Sequence, residues 1–306
     1  MADGKWIEGL TPEMTTAEAA RLVFLTRLAV VRTALPAAVD RASEDVEHIH
    51  QLRVGTRRAG AALKLLGDSL PSKVRQATKK SLRSLRRAAG EARDWDVFML
   101  SLPDAKPLTT AAGKPTLDFL LGYALNERAR AQQHLAEASK DVGATFEELC
   151  DRIPTSIDET GDFGAREFRE CAREKMQALI RTFNAEVAAN PTEAEALHQL
   201  RIQAKQVRYA MEIFSACFPP PFREVLYPAV EGLQEILGNL QDAVVGIQRL
   251  EGLRDSVQQV MPKEWPRLRT GINGLLTGLR RKPPVAKKQF QTWRTHWFRL
   301  SAEHPV

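Results

Sequence analysis

The strongest constraint on the fold is a repeat that relates the first half of the chain to the second. The tetrapeptide HQLR occurs at residues 50–53 and again at residues 198–201, an offset of 148 residues. Residues that keep this offset continue through the next helical segment: Arg57 with Lys205, Ala62 with Ala210, Leu85 with Leu233, Gly90 with Gly238, and Asp94 with Asp242. A constant offset over this length is typical of a duplicated structural unit.

Apolar residues recur with the period of an α-helix through most of the 306 residues, and almost no segment alternates as a strand does. The pattern predicts helices over residues 15–39, 44–66, 71–102, 115–151, 165–189, 192–217, 223–254, 263–281, and from the second Pro-Pro pair to about 300. Residues 151–164 mix Pro, Gly, Ser and Thr with acidic residues, which indicates a linker.

We therefore expect an all-α protein of two pseudo-symmetric, tandem-repeated four-helix bundles with a basic groove or channel. The first bundle should cover residues 1–155 and the second residues 156–306. Each half contains enough amphipathic helix to bury a core of its own.

The net charge and the cysteines indicate the class of partner and the cellular compartment. The net charge of +6 favours an anionic partner such as nucleic acid, a membrane surface or a phosphorylated ligand. The three cysteines, Cys150, Cys171 and Cys217, form no CxxC pair, which argues against a zinc site or a disulfide scaffold and fits a reducing compartment. No signal peptide and no segment apolar enough to span a bilayer is expected, so we expect a soluble, cytoplasmic protein without a membrane partner.

Basic residues lie on one face of several predicted helices, opposite the apolar face. The first HQLR helix carries His50, Arg53, Arg57 and Lys64 in such a row. The second carries His198, Arg201, Lys205 and Arg208. The helix after Pro71 carries Lys79, Arg83, Arg86 and Arg93, and the last helix carries a shorter polar row of Lys287, Gln291 and Arg294.

A solvated surface usually mixes charges of both signs, and these rows do not. Rows of one sign on neighbouring helices would repel one another unless an anion lay between them, and such a groove concentrates anions by its field. The planar fork of arginine suits phosphate oxygens, and lysine adds a point charge. An anion-binding groove is therefore favoured over a plain solvated face.

Four segments together resemble the CHAD domain, a histidine-bearing α-helical domain. They are HQLRVGTRR, LRRAAGEARDWDVFML, LHQLRIQAKQVRYAMEIF and LQEILGNLQDAVVGIQRL, and the resemblance extends over residues 15–300. It implies the two-bundle fold, binding of inorganic polyphosphate, and association with polyphosphate granules in bacteria. It also implies ligand contacts from His50, Arg53, Arg57, Arg58, His198, Arg201, Lys205 and Arg208.

The two copies are not equally basic, because Gln234 and Gln241 stand where the first copy has Arg86 and Arg93. We therefore expect the first half to dominate binding. The chain has no ExExK signature of the triphosphate-tunnel domain that often accompanies this family, and no catalytic triad or glycine-rich phosphate loop. We expect no enzyme activity, no cofactor and no metal, and we interpret Asp94, Asp96 and Asp242 as partners of neighbouring arginines.

Three other functions share features with this sequence. Glu47-x-x-His50 and Glu195-x-x-His198 have the spacing of a di-iron site, but the arginine one turn after each histidine disfavours a dication. A histidine phosphotransfer module would also present a histidine followed by a basic residue. Nucleic-acid binding suits the charge, but a recognition-helix motif is absent and aromatic residues are sparse in the basic rows. We expect at most weak, salt-sensitive DNA binding.

Overall fold

The computed structural model describes residues 5–306, and this part of the chain is built of ten α-helices without a β-strand. The helices are α1 (Thr16–Asp40), α2 (Glu47–Leu66), α3 (Ser72–Ser101), α4 (Lys114–Arg152), α5 (Asp162–Ala165), α6 (Phe168–Ala188), α7 (Ala194–Phe214), α8 (Tyr227–Val260), α9 (Trp265–Arg280) and α10 (Lys282–Glu303). The all-α prediction is confirmed. The division into two bundles near residue 155 stays a prediction.

The start of α1 is fixed by a reciprocal capping box. The Thr15 hydroxyl accepts a hydrogen bond from the backbone N–H of Glu18 at 3.2 Å, and the Glu18 carboxylate accepts one from the backbone N–H of Thr15 at 2.9 Å. Both bonds satisfy donors that a helix end would otherwise leave unpaired. Because the signal is local, the sequence was sufficient to locate this helix start.

The segment predicted as a linker is more ordered than a flexible connector. It contains a 3-10 turn at Ile153–Thr155 and the short helix α5. Ile157 is buried, and the backbone N–H of Asp158 donates to the carbonyl of Ser69 at 2.9 Å. The segment is therefore packed against the first half of the chain.

Several helix boundaries differ from the prediction, and for α6 a tertiary contact decides the start. Helix α6 begins at Phe168, three residues later than expected, since the preceding backbone is extended and the carbonyl of Arg166 accepts a hydrogen bond from the N–H of Thr16 at 2.7 Å. A π-helical turn at Phe222–Leu226 precedes α8, which continues to Val260.

The two halves share one apolar core. A single cluster of buried side chains includes Leu52 and Leu85 of the first half together with Phe168 and Phe214 of the second. The cluster is continuous across the halves because α1 and α2 also pack against α6 and α7. A smaller second cluster lies where the ends of α3, α4 and α8 meet α9.

A buried group of charges joins the halves. The carboxylate of Glu212 in α7 accepts a hydrogen bond from Nε of Arg58 at 2.8 Å and lies 3.5 Å from Nη2 of Arg27. The hydroxyl of Tyr227 donates to the same carboxylate at 2.9 Å. Burial lowers the pKa of Arg27 to about 10, and the nearby Glu212 carboxylate opposes that shift. One carboxylate of the second half thus interacts with two guanidinium groups of the first.

By length and composition, α1 could cross a membrane, so the expectation that no segment is apolar enough is wrong. A buried core helix of a soluble protein passes the same test. Here Val23, Phe24 and Val31 lie in the shared core, and Arg27 lies in the buried charge group.

The contact between α4 and α9 provides a stability prediction. A Cβ atom at Gly271 would overlap the side chain of Thr116, whose hydroxyl donates to the carbonyl of Leu268 at 3.0 Å. We expect Gly271→Ala to lower the free energy of unfolding by about 1–3 kcal/mol, measured by urea denaturation. Gly278→Ala on the same helix is the control, because open space surrounds that position. Equal stabilities of the two variants would contradict this packing.

Candidate functional site

The two HQLR helices, α2 and α7, pack against each other. Two side-chain contacts across this crossing join positions that the repeat relates to each other. Arg58 of α2 pairs with Glu212 of α7, and the Lys64 amino group of α2 contacts the side-chain oxygen of Gln206 of α7. Arg58 and Gln206 are 148 residues apart, as are Lys64 and Glu212. The crossing is therefore built from matched positions of the two copies.

Four cations converge beside this crossing, and we call them the basic cluster: Arg53, Arg57, Arg201 and Lys205. All four are half-buried. The charges of Arg53, Arg57 and Arg201 all act on Lys205. Burial lowers the pKa of Arg53 and of Arg201, and the charge of Arg57 lowers each further. The rows predicted on the two copies thus meet in one place.

Lys205 has the most perturbed side chain of the basic cluster. Burial, followed by the charges of Arg57 and Arg201, lowers the pKa of its ammonium group to about 7. Lys205 forms no hydrogen bond or ion pair with any residue from 5 to 306. Desolvation and like charges both disfavour the protonated form, so an added anion would restore it.

The motif histidines occupy equivalent positions at the edge of the cluster. Nδ1 of His198 lies 2.9 Å from the side-chain oxygen of Gln241 in α8, an arrangement in which the ring N–H donates. His50 faces the charge of Arg93 in α3, the repeat equivalent of Gln241. Burial, aided by Arg93, lowers the pKa of His50. The lowered pKa favours the neutral ring of His50.

Two aspartates partly neutralise the basic cluster. Asp94 of α3 accepts a hydrogen bond from Nη2 of Arg53 at 3.1 Å. Asp242 of α8, its repeat equivalent, acts electrostatically on Arg53 and Arg201. Asp96 is instead buried and accepts from Nε of Arg128 at 2.6 Å. Each aspartate is thus an arginine partner, as the sequence suggested.

Several basic side chains have buried nitrogens without a hydrogen-bond partner among residues 5–306. They are Nδ1 of His50, Nη1 of Arg93, Nε of Arg201 and Nε of Arg208. Buried polar atoms are nearly always hydrogen-bonded, and leaving one unpaired costs about 1–3 kcal/mol. These nitrogens can therefore gain stabilisation from an incoming acceptor.

The row on α3 extends the basic surface. Arg93 faces His50, and Arg86 lies two helical turns before it on the same face. Lys79, Arg83 and Arg86 are exposed, with no ion pair to any described residue. They remain free to contact a ligand that extends beyond the basic cluster.

Some predicted site residues have other partners. Arg58 is 8% exposed and forms the buried ion pair with Glu212, so it does not lie on the basic surface. The Lys64 amino group contacts Gln206, and Arg208 forms an ion pair with Glu231 at 3.2 Å. Lys64 is nevertheless exposed to solvent, and Arg208 is partly exposed.

The row on α10 also differs from the expectation. The guanidinium of Arg294 donates to the carbonyls of Val187 at 2.8 Å and Ala188 at 3.0 Å, where α6 ends. Gln291 donates to the side chain of Asn190 at 2.7 Å. Lys287 is exposed on the same helix, and α10 makes most of its helix contacts with α8 and α9. This row closes the end of α6 and lies outside the basic cluster.

Two cavities of the molecule lie elsewhere. Both are lined by Leu226 and by residues 304–306, and neither includes a member of the basic cluster. The cluster is a half-buried surface, which suits an extended ligand better than a compact one.

Comparison with known proteins decides the family. The CHAD domain model matches residues 23–251. The chain belongs to the CHAD domain family. This family is associated in general with polyphosphate binding. No curated protein sequence matches the chain.

Two solved structures share the CHAD fold. The structure described as the CHAD domain from the plant Ricinus communis has a TM-score of 0.71 at 23% identity, covering 95% of each chain. The structure described as PptA from Streptomyces chartreusis has a TM-score of 0.69 at 17% identity, covering 91% of this chain and 99% of that one.

Sequence reasoning missed one cation at the site of this CHAD domain. Arg249 of α8 lies within electrostatic range of Asp94 and is half-buried. Its repeat equivalent is Ser101, so the repeat could not reveal it. Its spacing was the available signal, because Arg249 follows Asp242 by seven residues and shares its face of the helix.

Proposed function

We propose that this CHAD domain binds inorganic polyphosphate on the basic cluster and does not turn it over. The observation that carries the proposal is the convergence of four half-buried cations from equivalent positions of two helices. Like charges this close raise the free energy of the unliganded protein, and a linear polyanion would relieve that repulsion. The unpaired nitrogens of Arg93 and Arg201 supply donors for phosphate oxygens.

The mechanism is electrostatic. Phosphates lie along the basic cluster, arginine forks hydrogen-bond their oxygens, and the counterions of the chain are released. The exposed row Lys79, Arg83 and Arg86 gives further phosphates a path along α3. His50 and His198 stand at the edge, and a bound polyanion would oppose the lowering of the His50 pKa. Helix α8 has Gln234 and Gln241 where α3 has Arg86 and Arg93. The first half therefore contributes more positive charge to the basic surface.

The proposed role is binding without catalysis, cofactor or metal. The carboxylates nearest the cluster, Asp94 and Asp242, interact with arginines. Among residues 5–306, no group of three or more His, Cys, Asp or Glu side chains could hold a metal ion. We place the protein in the cytoplasm, without a membrane partner and in association with polyphosphate granules.

Titration calorimetry at physiological salt tests the proposal. Long-chain polyphosphate, tripolyphosphate and duplex DNA are each titrated into the purified protein. We expect long-chain polyphosphate to bind more tightly than DNA, with an affinity that falls as salt rises. DNA binding equal to or tighter than polyphosphate binding would make nucleic acid the principal ligand and refute the proposal.

The affinity for polyphosphate should depend on pH through Lys205. Its pKa of about 7 lies below its ordinary value, so a bound polyanion raises it and binding takes up a proton. Affinity should therefore rise as pH falls from 8 to 6, by about tenfold, and level off below the pKa of the free protein. Lys205→Arg keeps its proton throughout and should reduce this dependence, measured by calorimetry across that range. An unchanged pH profile in the variant would assign the dependence to another group.

A further inference from the structure

Helices α3 and α8 come from different halves and flank the basic cluster. Helix α3 packs against α2, and α8 packs against α7. Phe98 of α3 and Ile247 of α8 pack against the same small apolar cluster, so the two helices meet through side chains. A side chain that reaches from one to the other would therefore bridge the two halves beside the ligand surface. Arg249 does so.

The bridge is a cation–π contact between a guanidinium and two aromatic rings. Cζ of Arg249 lies 3.9 Å from the ring centroid of Trp95 and 4.9 Å from that of Phe98, both in α3. The Trp95 ring is held in turn by edge contacts with Phe98 at 5.9 Å and with Tyr123 of α4 at 5.6 Å. The face of Trp95 toward α8 is thus fixed in position to receive the guanidinium plane.

Stacking leaves the hydrogen-bond donors of Arg249 unused. Its guanidinium forms no hydrogen bond or ion pair with any residue from 5 to 306. A guanidinium that stacks by its face keeps the N–H groups at its edge available to phosphate oxygens. Asp94 lies close enough to act on Arg249 and also binds Arg53, so Arg249 adjoins the basic cluster.

Arg249 extends the basic surface in one direction. It follows Asp242 by seven residues on α8, which is about 10 Å along the helix axis. Asp242 interacts with Arg53 and Arg201, so Arg249 lies beyond the cluster at that end. A short anion held by the cluster would not reach this position, whereas a long chain would.

We propose that Arg249, positioned by Trp95, is a binding residue for long linear phosphate chains at the α8 end of the basic surface. The inference rests on the proposed function and deepens it, because it assigns to this residue the preference for long chains over short ones. Arg249 gives the second half a charged ligand contact, which Gln234 and Gln241 cannot supply at the positions equivalent to Arg86 and Arg93.

The test compares two ligands on matched variants by titration calorimetry. Arg249→Ala should weaken the binding of long-chain polyphosphate about tenfold, since a charged hydrogen bond contributes about 1.5–3 kcal/mol, and should change tripolyphosphate binding less than twofold. Arg249→Lys keeps the charge but loses the planar guanidinium, so we expect it to retain only part of the long-chain affinity. Arg254→Ala, on the same helix but paired with Asp255, is the control and should leave both affinities unchanged.

Three outcomes would overturn the inference. The first is an unchanged long-chain affinity in Arg249→Ala. The second is an equal loss for both ligands with a lower melting temperature, which would make Arg249 a structural bridge only. The third is full restoration by lysine, which would leave Trp95 without a role. Failure of the unmodified protein to bind polyphosphate would instead refute the proposed function, and the two failures are therefore distinguishable.

Discussion

Replacing all four residues of the basic cluster, Arg53, Arg57, Arg201 and Lys205, by alanine is expected to weaken long-chain polyphosphate binding by about a thousandfold at physiological salt. Each charged hydrogen bond contributes about 1.5–3 kcal/mol, and contributions of neighbours are not additive, so a total near 4 kcal/mol is the reasonable expectation. The dependence of affinity on salt should become shallower as well, because fewer counterions are released. Calorimetry over a salt series measures both quantities.

The control separates the local cluster from the charge of the whole protein. A second variant replaces four exposed basic residues on or beside α9 and α10 by alanine: Lys263, Arg269, Arg281 and Lys288. Both variants lose the same formal charge. We expect this control to retain affinity within about threefold, because exposed charges at a distance are screened by salt. Equal losses in the two variants would mean that net charge, and not the cluster, holds the ligand.

The basic-cluster variant should fold. Its four substitutions remove mutually repelling cations, and Lys205 has no partner among residues 5–306 to lose. The ion pair of Arg53 with Asp94 is lost, but half-exposed pairs contribute only about 0–1 kcal/mol. An unchanged melting temperature together with lost binding is the expected combination.

The second large effect concerns stability. Glu212→Gln should lower the free energy of unfolding by about 3–5 kcal/mol, because Arg58 would be left in the core without its counter-charge and Arg27 would lose the charge of Glu212. Both carboxylate oxygens of Glu212 accept hydrogen bonds, from Arg58 and from Tyr227. A glutamine amide has only one oxygen that can accept. Urea denaturation followed by circular dichroism measures the change.

Two comparisons make this prediction specific to the buried charge group. Glu231→Gln removes a carboxylate whose pairs with Lys5 and Arg208 are half-exposed, so a loss of at most about 1 kcal/mol is expected. Arg58→Met in the Glu212→Gln background removes one unpaired cation and should recover part of the stability. If Glu212→Gln were no more destabilising than Glu231→Gln, the buried group would not be what joins the halves.

The adjacent arginines at 57 and 58 show where sequence reasoning succeeded and where it did not. Successive helical residues point about 100° apart. The helical wheel therefore placed Arg57 on the basic row, and the structure puts it in the basic cluster. Arg58 was assigned to the ligand by resemblance, yet it turns to the core, where Glu212 neutralises it. That carboxylate lies 154 residues away in sequence, so no local pattern could reveal the pair.

The sequence by itself determined the helical class, the start of α1, and the rows of cations on each repeated helix. These features depend on residues one to four positions apart, whose relative placement on a helix is fixed by backbone geometry. Only the tertiary structure decided that the two rows meet at the α2–α7 crossing, that the halves share one core, that Arg294 caps the end of α6, and that Arg249 stacks on Trp95. Those outcomes depend on which helices pack together, and packing joins side chains that are distant in sequence.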